Sequence, residues 1–286
     1  MRAVEILDVA NISVHPKNRF TSADVIAITA MSLAPMRNSS NKSGHRRGKP
    51  NRGGSRFSQN LVVLYEDEAV VAVNKPAGLL AVPVEGSPTV SAWSLLSDEL
   101  ARKRQRVFVV HRIDRFTSGI LLFAKTDGDR DILVKQFLRH TPVRQYHAVI
   151  RGHLGVKEGT LVHYLRRVGM FQILSKESNA DAARAELRYF VESRLRSASL
   201  LRVTLVTGLQ NQIRVQFSAI GHPVIGDRKY HREEALERRI ARVALHASHV
   251  EFIHPRSGIN ISVDCGFPPD FNSLLRTLSL PKRPRQ

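Results

Sequence analysis

Residues 109–126 read VVHRIDRFTSGILLFAKT, and the fold turns on how this stretch is taken. Val109 and Val110 open it as apolar chain, His111, Arg112, Asp114 and Arg115 make it abruptly polar, and Thr117, Ser118 and Gly119 give a turn signal. Residues 120–124 then form an apolar run with the length and composition of a buried strand. A charged loop clamped between two buried strands is a natural mount for chemistry, because the strands hold its side chains rigid. Asp114 stands between Arg112 and Arg115, so its carboxylate is expected to stay ionised at a positively charged surface. A solvated turn with an incidental ion pair is the plain alternative, and the residue types alone leave both open.

Outward from this loop the pattern alternates short strands and helices. Upstream, residues 61–65 and 70–73 bracket the acidic turn Glu66, Asp67, Glu68 as a hairpin. Asn74, Lys75, Pro76, Ala77 and Gly78 follow as a tight turn, and residues 91–100 read as a helix with Trp93, Leu96 and Leu100 on one face. Downstream, 129–138 is a helix and 144–149 an alternating strand that Gly152 ends. Residues 161–174 and 183–193 read as strands of an antiparallel sheet joined by the polar loop 175–182. Leu201, Val203 and Leu205 form a strand that ends at Thr207 and Gly208, and 212–220 has helical spacing. Residues 233–243 are expected to be a charged helix carrying Arg238, Arg239 and Arg242.

Composition bounds the partners. The 286 residues are enough to bury a substantial core, and 44 Lys+Arg against 25 Asp+Glu leave a formal charge of +19. Such an excess points first to nucleic acid, whose phosphates release counterions to basic patches. No basic amphipathic helix with an aromatic apolar face supports a membrane partner, and no apolar run approaches the roughly 18 residues of a spanning helix. The single Cys265 excludes an internal disulfide framework and a multi-cysteine zinc site; its apolar context makes it a packing residue, and a reduced cytoplasm is the expected compartment. His246, His249 and His254 lack the spacing and companions of a metal site, so no metal is expected. Residues 1–57 differ from the rest. A weakly apolar, alanine-rich stretch at 25–36 suits one short helix without the pattern of a secretory signal, and 37–57 is a Ser/Asn/Gly/Arg-rich arm with no acidic residue, expected to be disordered. Met36, directly before that arm, is an alternative start, and 276–286 is expected to be a basic tail.

The stretch at 109–126 resembles the signature H-R-L-D-R-x-T-S-G-L-L-L-F-A-K-T of the RluA-type pseudouridine synthases. His111, Arg112, Asp114, Arg115, Thr117, Ser118, Gly119 and 121–126 match it, Ile113 and Ile120 are conservative swaps, and Phe116 replaces the usual acid. The hairpin and the N-K-P-A-G turn are similar to the family's first motif, and Tyr146 and Gly152 match K-x-Y-x-A-x-V-x-G with Arg144 in place of lysine. Thr207, Gly208, Gln212, Ile213, Arg214, Gly221, His222, Pro223, Gly226, Asp227 and Tyr230 agree with T-G-R-T-H-Q-I-R-x-H-x-x-x-x-G-H-P-I-x-G-D-x-x-Y. The chain departs from it at Leu209, Gln210, Asn211 and Gln216, which removes polar groups expected near the cleft. Residues 244–247 and 252–255 resemble the closing L-H-A and F-x-H-P segments, and no S4-type RNA-binding pattern is found at the N-terminal end.

The resemblance spans 61–270, about three quarters of the chain. It implies an α+β fold: a mixed, mainly antiparallel central sheet with flanking helices and an active-site cleft, over a catalytic domain drawn at 58–275. It implies isomerisation of specific uridines in ribosomal or transfer RNA to pseudouridine, with no cofactor because leaving group and acceptor are one base in one pocket. By the same resemblance Asp114 is the catalytic aspartate, Arg214 pairs with it, and Tyr146 stacks on the flipped-out uracil. Leu245 packs beneath the site, and Arg112, Arg115 and Gln212 complete the substrate-binding candidates, the two arginines as phosphate or fold-stabilising contacts. The basic cluster 102–106 adjoins the loop and is expected to touch RNA backbone. A monomer suits an enzyme that must embrace a folded RNA. Two other readings stay open: an RNA-binding protein that keeps the fold without turnover, and a basic hydrolase pairing Asp114 with His111.

Overall fold

The computed structural model describes residues 60–279 except 85, 87, 88 and 232–235. The readings made for 1–57 and for residues 280–286 of the basic tail therefore lie outside the described residues, while 276–278, drawn into that tail, are the end of a helix. β1 (Val62–Glu66) and β2 (Val70–Lys75) form the expected hairpin, and Asp67 closes its turn by accepting the Ala69 and Val70 amides at 2.8 Å each. α1 (Ala92–Arg102) is capped by Ser91, whose hydroxyl accepts the Ser94 amide while Ser94 accepts that of Ser91, a reciprocal cap that satisfies two otherwise orphaned donors. β3 (Phe108–Val109) and β4 (Ser118–Ala124) flank the Asp114 loop. α2 (Asp127–Leu138), capped by Thr126, leads into β5 (Val143–Arg151).

Every residue of β4 is buried because both of its faces are covered. Leu121 and Phe123 pack with Val71, Val73, Leu96 and Leu100 toward α1, and Ile120, Leu122 and Ala124 pack with Val70, Ala72, Leu133 and Phe137 toward α2. A strand covered on both faces loses its polar alternation, hence the unbroken apolar run.

The 161–174 stretch is not one strand. β6 (Glu158–Val168) and β7 (Phe171–Ser175) are an antiparallel hairpin that turns at Gly169, φ +57°, and Met170. β8 (Ala183–Arg194) and β9 (Ala198–Leu205) continue the sheet, then come α3 (Gln212–Ala219), β10 (Leu245–Ile253), β11 (Asn260–Asp264) and α4 (Pro269–Leu278). The charged helix expected at 233–243 is also corrected: its described part is a single 3₁₀ turn, Glu237–Arg239. Arg242 is the reason. It is buried, forks onto Asp270 at 2.7 and 2.9 Å, and donates to the Val243 and Leu245 carbonyls, so it cannot sit on a solvated helix face.

The sheet order is β1-β2-β4-β10-β5-β9-β8-β6-β7, with β3 on β4 and β11 on β10. The named pairings are antiparallel except β4 with β10, so the mixed, mainly antiparallel expectation holds. That parallel contact joins Ser118 to His246 and Gly119 to Ala247 and brings the Asp114 loop beside β5 and α3.

Candidate active site

The loop 110–117 is pinned from below by the N-K-P-A-G turn. Lys75 is fully buried, and its ammonium donates to the carbonyls of Pro76 at 3.0 Å, Leu79 at 2.8 Å and Arg115 at 3.1 Å. Burial pulls this lysine down to about 7 while the nearby Asp114 carboxylate pulls the other way. Gly78 and Arg115 complete the lock: the Gly78 amide donates to the Arg115 carbonyl at 2.8 Å, and Arg115 Nε donates back to the Gly78 carbonyl at 2.9 Å. Of the two arginines flanking Asp114, Arg115 is thus a fold contact. Arg112 is exposed and has no side-chain partner among the described residues, which leaves it open to a phosphate.

His111 is structural. Its Nε2 accepts the Leu122 amide at 3.1 Å, its ring stacks on Phe137 at 4.4 Å, and burial beside the Arg144 charge holds it down to about 3. A base committed to a backbone amide and turned into the core does not serve Asp114, so the hydrolase reading loses its second residue.

Asp114 is 21% exposed, and Arg214 Nη1 reaches its Oδ2 at 3.5 Å, long for a hydrogen bond. The arginine is far more tightly held from behind. Its Nε and Nη2 fork onto the two oxygens of Asp227 at 2.7 Å each, and Nη1 donates to Asn211 Oδ1 at 2.7 Å. Burial opposes the guanidinium charge, but the Asp227 carboxylate outweighs it and raises Arg214 above the usual arginine range. Asp227 in turn accepts the Lys229 and Tyr230 amides. Asn211, one of the departures from the family pattern, sits in the left-handed region at φ +55° at the start of α3 and spends its side chain on Arg214 instead of capping the helix.

Tyr146 comes from β5, half-buried and paired with Ala247 of β10 and Val203 of β9. Burial raises its hydroxyl, with Arg144 working against that and Asp114 adding to it, so the ring lies within electrostatic reach of the carboxylate. Leu245, buried, pairs with Ala148 on the same sheet face and belongs to the cluster against which Tyr146 packs. Asp114, Arg214, Tyr146 and Leu245 are therefore gathered together.

Gln212 is not open to a ligand. It is 2% exposed, its Oε1 accepts Thr207 Oγ1 and the Leu209 amide, and its Nε2 donates to the Glu186 carbonyl. It knits the turn before α3. Gln216 does the same lower down, donating to the Leu161 and Ala185 carbonyls. The histidines of β10 and its turn are likewise occupied. His246 shares a 2.9 Å bond with Ser118 Oγ and donates to the Cys265 carbonyl, while His249 meets Asp264 and Glu251. Among the described residues no group of three or more His, Cys, Asp or Glu could hold a metal.

Sequence reasoning missed Lys75, which reads as part of a turn, and Asp227, which matches the family pattern but carried no role. A lysine at the end of the apolar strand 70–73, directly before Pro76, was the available signal.

The family described as RNA pseudouridylate synthase matches residues 69–219. The chain is 35% identical over 235 residues to ribosomal large subunit pseudouridine synthase D of Zymomonas mobilis, covering 78% of this chain and 74% of that one. It is 36% identical over 213 residues to the dual-specificity RNA pseudouridine synthase RluA of Vibrio cholerae, covering 73% and 84%. Among solved structures, human RNA pseudouridylate synthase domain containing 4 shares the fold at a TM-score of 0.63 and 21% identity, over 76% of this chain and 92% of that one.

Proposed function

The chain belongs to the RNA pseudouridylate synthase family, and from that premise we propose that it isomerises specific uridines of ribosomal or transfer RNA with Asp114 as the essential carboxylate. As a member of that family it is an isomerase. The observation that carries the role of Asp114 is its pairing with an arginine that is itself clamped by Asp227 and Asn211, so that the second N–H of Nη1 is held toward the carboxylate.

In this reading the uracil leaves its stack and lies against Tyr146, whose ring covers a pyrimidine face whatever its hydrogen-bonding edge. Asp114 acts at the nucleotide as nucleophile or base, the C–N glycosidic bond breaks, the uracil rotates, and C5 bonds to the ribose with loss of its hydrogen. Arg214 holds the carboxylate in one orientation, and Leu245 supports the pocket floor. Arg112 takes a phosphate. The similar proteins are named for the ribosomal large subunit and for dual specificity toward RNA, which supports ribosomal RNA among the substrates and leaves room for a second RNA class. Among the described residues no helix is long and apolar enough to cross a membrane.

The test is tritium release from RNA labelled at uridine C5, taken from cells that lack this protein. The wild type releases tritium, and Asp114→Asn binds the RNA without releasing any. RNA binding with no release by the wild type would instead favour a binding protein that has kept the fold.

A further inference from the structure

The tip of the β6–β7 hairpin is unusual among the described surfaces. Met170 is 79% exposed, Phe171 47% and Val168 44%, three large apolar side chains at one turn on the edge of the sheet. Cations border them. The Lys229 ammonium lies 4.7 Å from the Phe171 ring centroid and 5.5 Å from that of Tyr230, and donates to the Met170 carbonyl. Among the described residues no carboxylate pairs with that ammonium, and Arg167 Nε donates to the Gly169 carbonyl.

The tip is also joined to the cleft. Tyr230 takes Phe171 edge-on at 6.3 Å, accepts the Gln172 amide on its hydroxyl, and lies under the Arg214 guanidinium at 5.3 Å. Burial lowers Lys229, and the charges of Arg214, Asp114 and Asp227 all act on it, which puts the lysine at the rim of the candidate site.

We infer that this tip and Lys229 form a docking platform for an unpaired stretch of the RNA beside the target uridine, with a base on Phe171 and Met170 and a phosphate on Lys229. The inference rests on the proposed reading of the site and narrows its substrate to looped RNA. An exposed ring offers stacking to any base, and a desolvated cation beside it offers the neutralisation that a phosphate needs. In a duplex the base faces are already covered by their neighbours, so a platform of this kind discriminates by pairing rather than by sequence.

The experiment measures binding, so that it does not depend on turnover. The full chain is titrated with a stem-loop oligoribonucleotide carrying a uridine in its loop and with a fully paired duplex of equal length, over a series of salt concentrations. Wild type binds the stem-loop more tightly. Phe171→Ser weakens stem-loop binding roughly tenfold and duplex binding little, in keeping with the loss of one base–aromatic stack. Lys229→Gln lowers the slope of log K against log salt by about 0.7 to 0.9, one phosphate, and Lys229→Arg restores it. Ile259→Ser, which removes a comparably exposed apolar side chain from the β10–β11 turn, leaves binding unchanged. Equal binding of both RNAs, or unchanged affinity and slope in folded Phe171→Ser and Lys229→Gln, overturns the platform. If those variants bind as the wild type does while tritium release persists, the platform alone fails. If they weaken binding and the wild type releases no tritium, the isomerase reading alone fails.

Discussion

Arg214 shows how much of a site can hang on one residue and on what holds it. Its reach to Asp114 is long, 3.5 Å, while its grip on Asp227 is short and double, so the buried Asp227 decides where the guanidinium points. Asp227→Asn leaves Arg214 with a neutral partner that cannot accept on both oxygens. We expect kcat to fall about a hundredfold, the effect of misplacing a catalytic group by an ångström, with RNA affinity little changed. Stability should drop by about 3 kcal/mol, because a buried cation loses its compensating charge. Unchanged tritium release by Asp227→Asn would mean that Asn211 suffices to hold the arginine. Lys75 makes a parallel case: Lys75→Met frees the Arg115 carbonyl and with it the Asp114 loop, so kcat should fall while the Kd for RNA stays within about twofold, read by binding and release on the same RNA. Asp114, Tyr146 and Arg214 were legible because motif residues carry them. Lys75 and Asp227 were not, since a lysine in an N-K-P-x-G turn reads as solvated until tertiary contact brings a carbonyl 40 residues away onto its ammonium.

Among the elements, β4 governs the placement of the Asp114 loop, and Gly119 governs β4. At φ +108° a Cβ on Gly119 would stand 2.1 Å from the Ala247 carbonyl oxygen, in backbone that cannot yield without breaking the parallel contact with β10. Gly119→Ala should therefore cost on the order of 4 kcal/mol or more in urea unfolding, far outside the usual range for a surface glycine. A loss under about 1 kcal/mol would show that the β4–β10 contact is loose. The same element explains what the sequence made readable. A strand buried on both faces writes a continuous apolar run, whereas the β6–β7 hairpin writes mixed alternation through Gly169 and Met170, which looks like one long strand. Residues 233–243 look like a helix because charge is counted along the chain, but Arg242 faces inward to Asp270, and nothing local to that segment announces a partner 28 residues on.

Across the whole molecule, charge sets both the partner and the conditions of stability. The formal +19 suits a polyanion, and two of the twelve histidines are packed into the described core, His246 fully buried and His111 stacked on Phe137. Burial with the Arg144 charge holds His111 at about 3, and burial, opposed by its bond to the Cys265 carbonyl, holds His246 at about 4. Both folded values lie below the ordinary histidine value near 6.5, so between about pH 6.5 and 4 the unfolded chain binds protons that the folded chain refuses. Stability from these groups is complete above that window and is lost as pH falls through it. Together they should remove roughly 3–4 kcal/mol between pH 7 and pH 5, a large part of the 5–15 kcal/mol of an ordinary domain. Lys75 acts in the same sense higher up: folded at about 7 and unfolded near 10.5, it lets stability rise with pH across that interval. The carboxylates held low, Asp67, Asp129 and Asp270, oppose none of this, because their stabilisation fades only as pH drops below the ordinary carboxylate range. Urea midpoints at pH 7, 6 and 5 in constant salt should fall steadily. His246→Gln should flatten the slope measurably but not abolish it, because one refusing group is gone while Ser118 keeps an amide to bond and burial still holds His111, His140, His147 and His163 low. Midpoints that coincide at pH 7 and 5 would mean that the His111 and His246 rings are protonated without unfolding, and that water reaches the layer between β4 and β10.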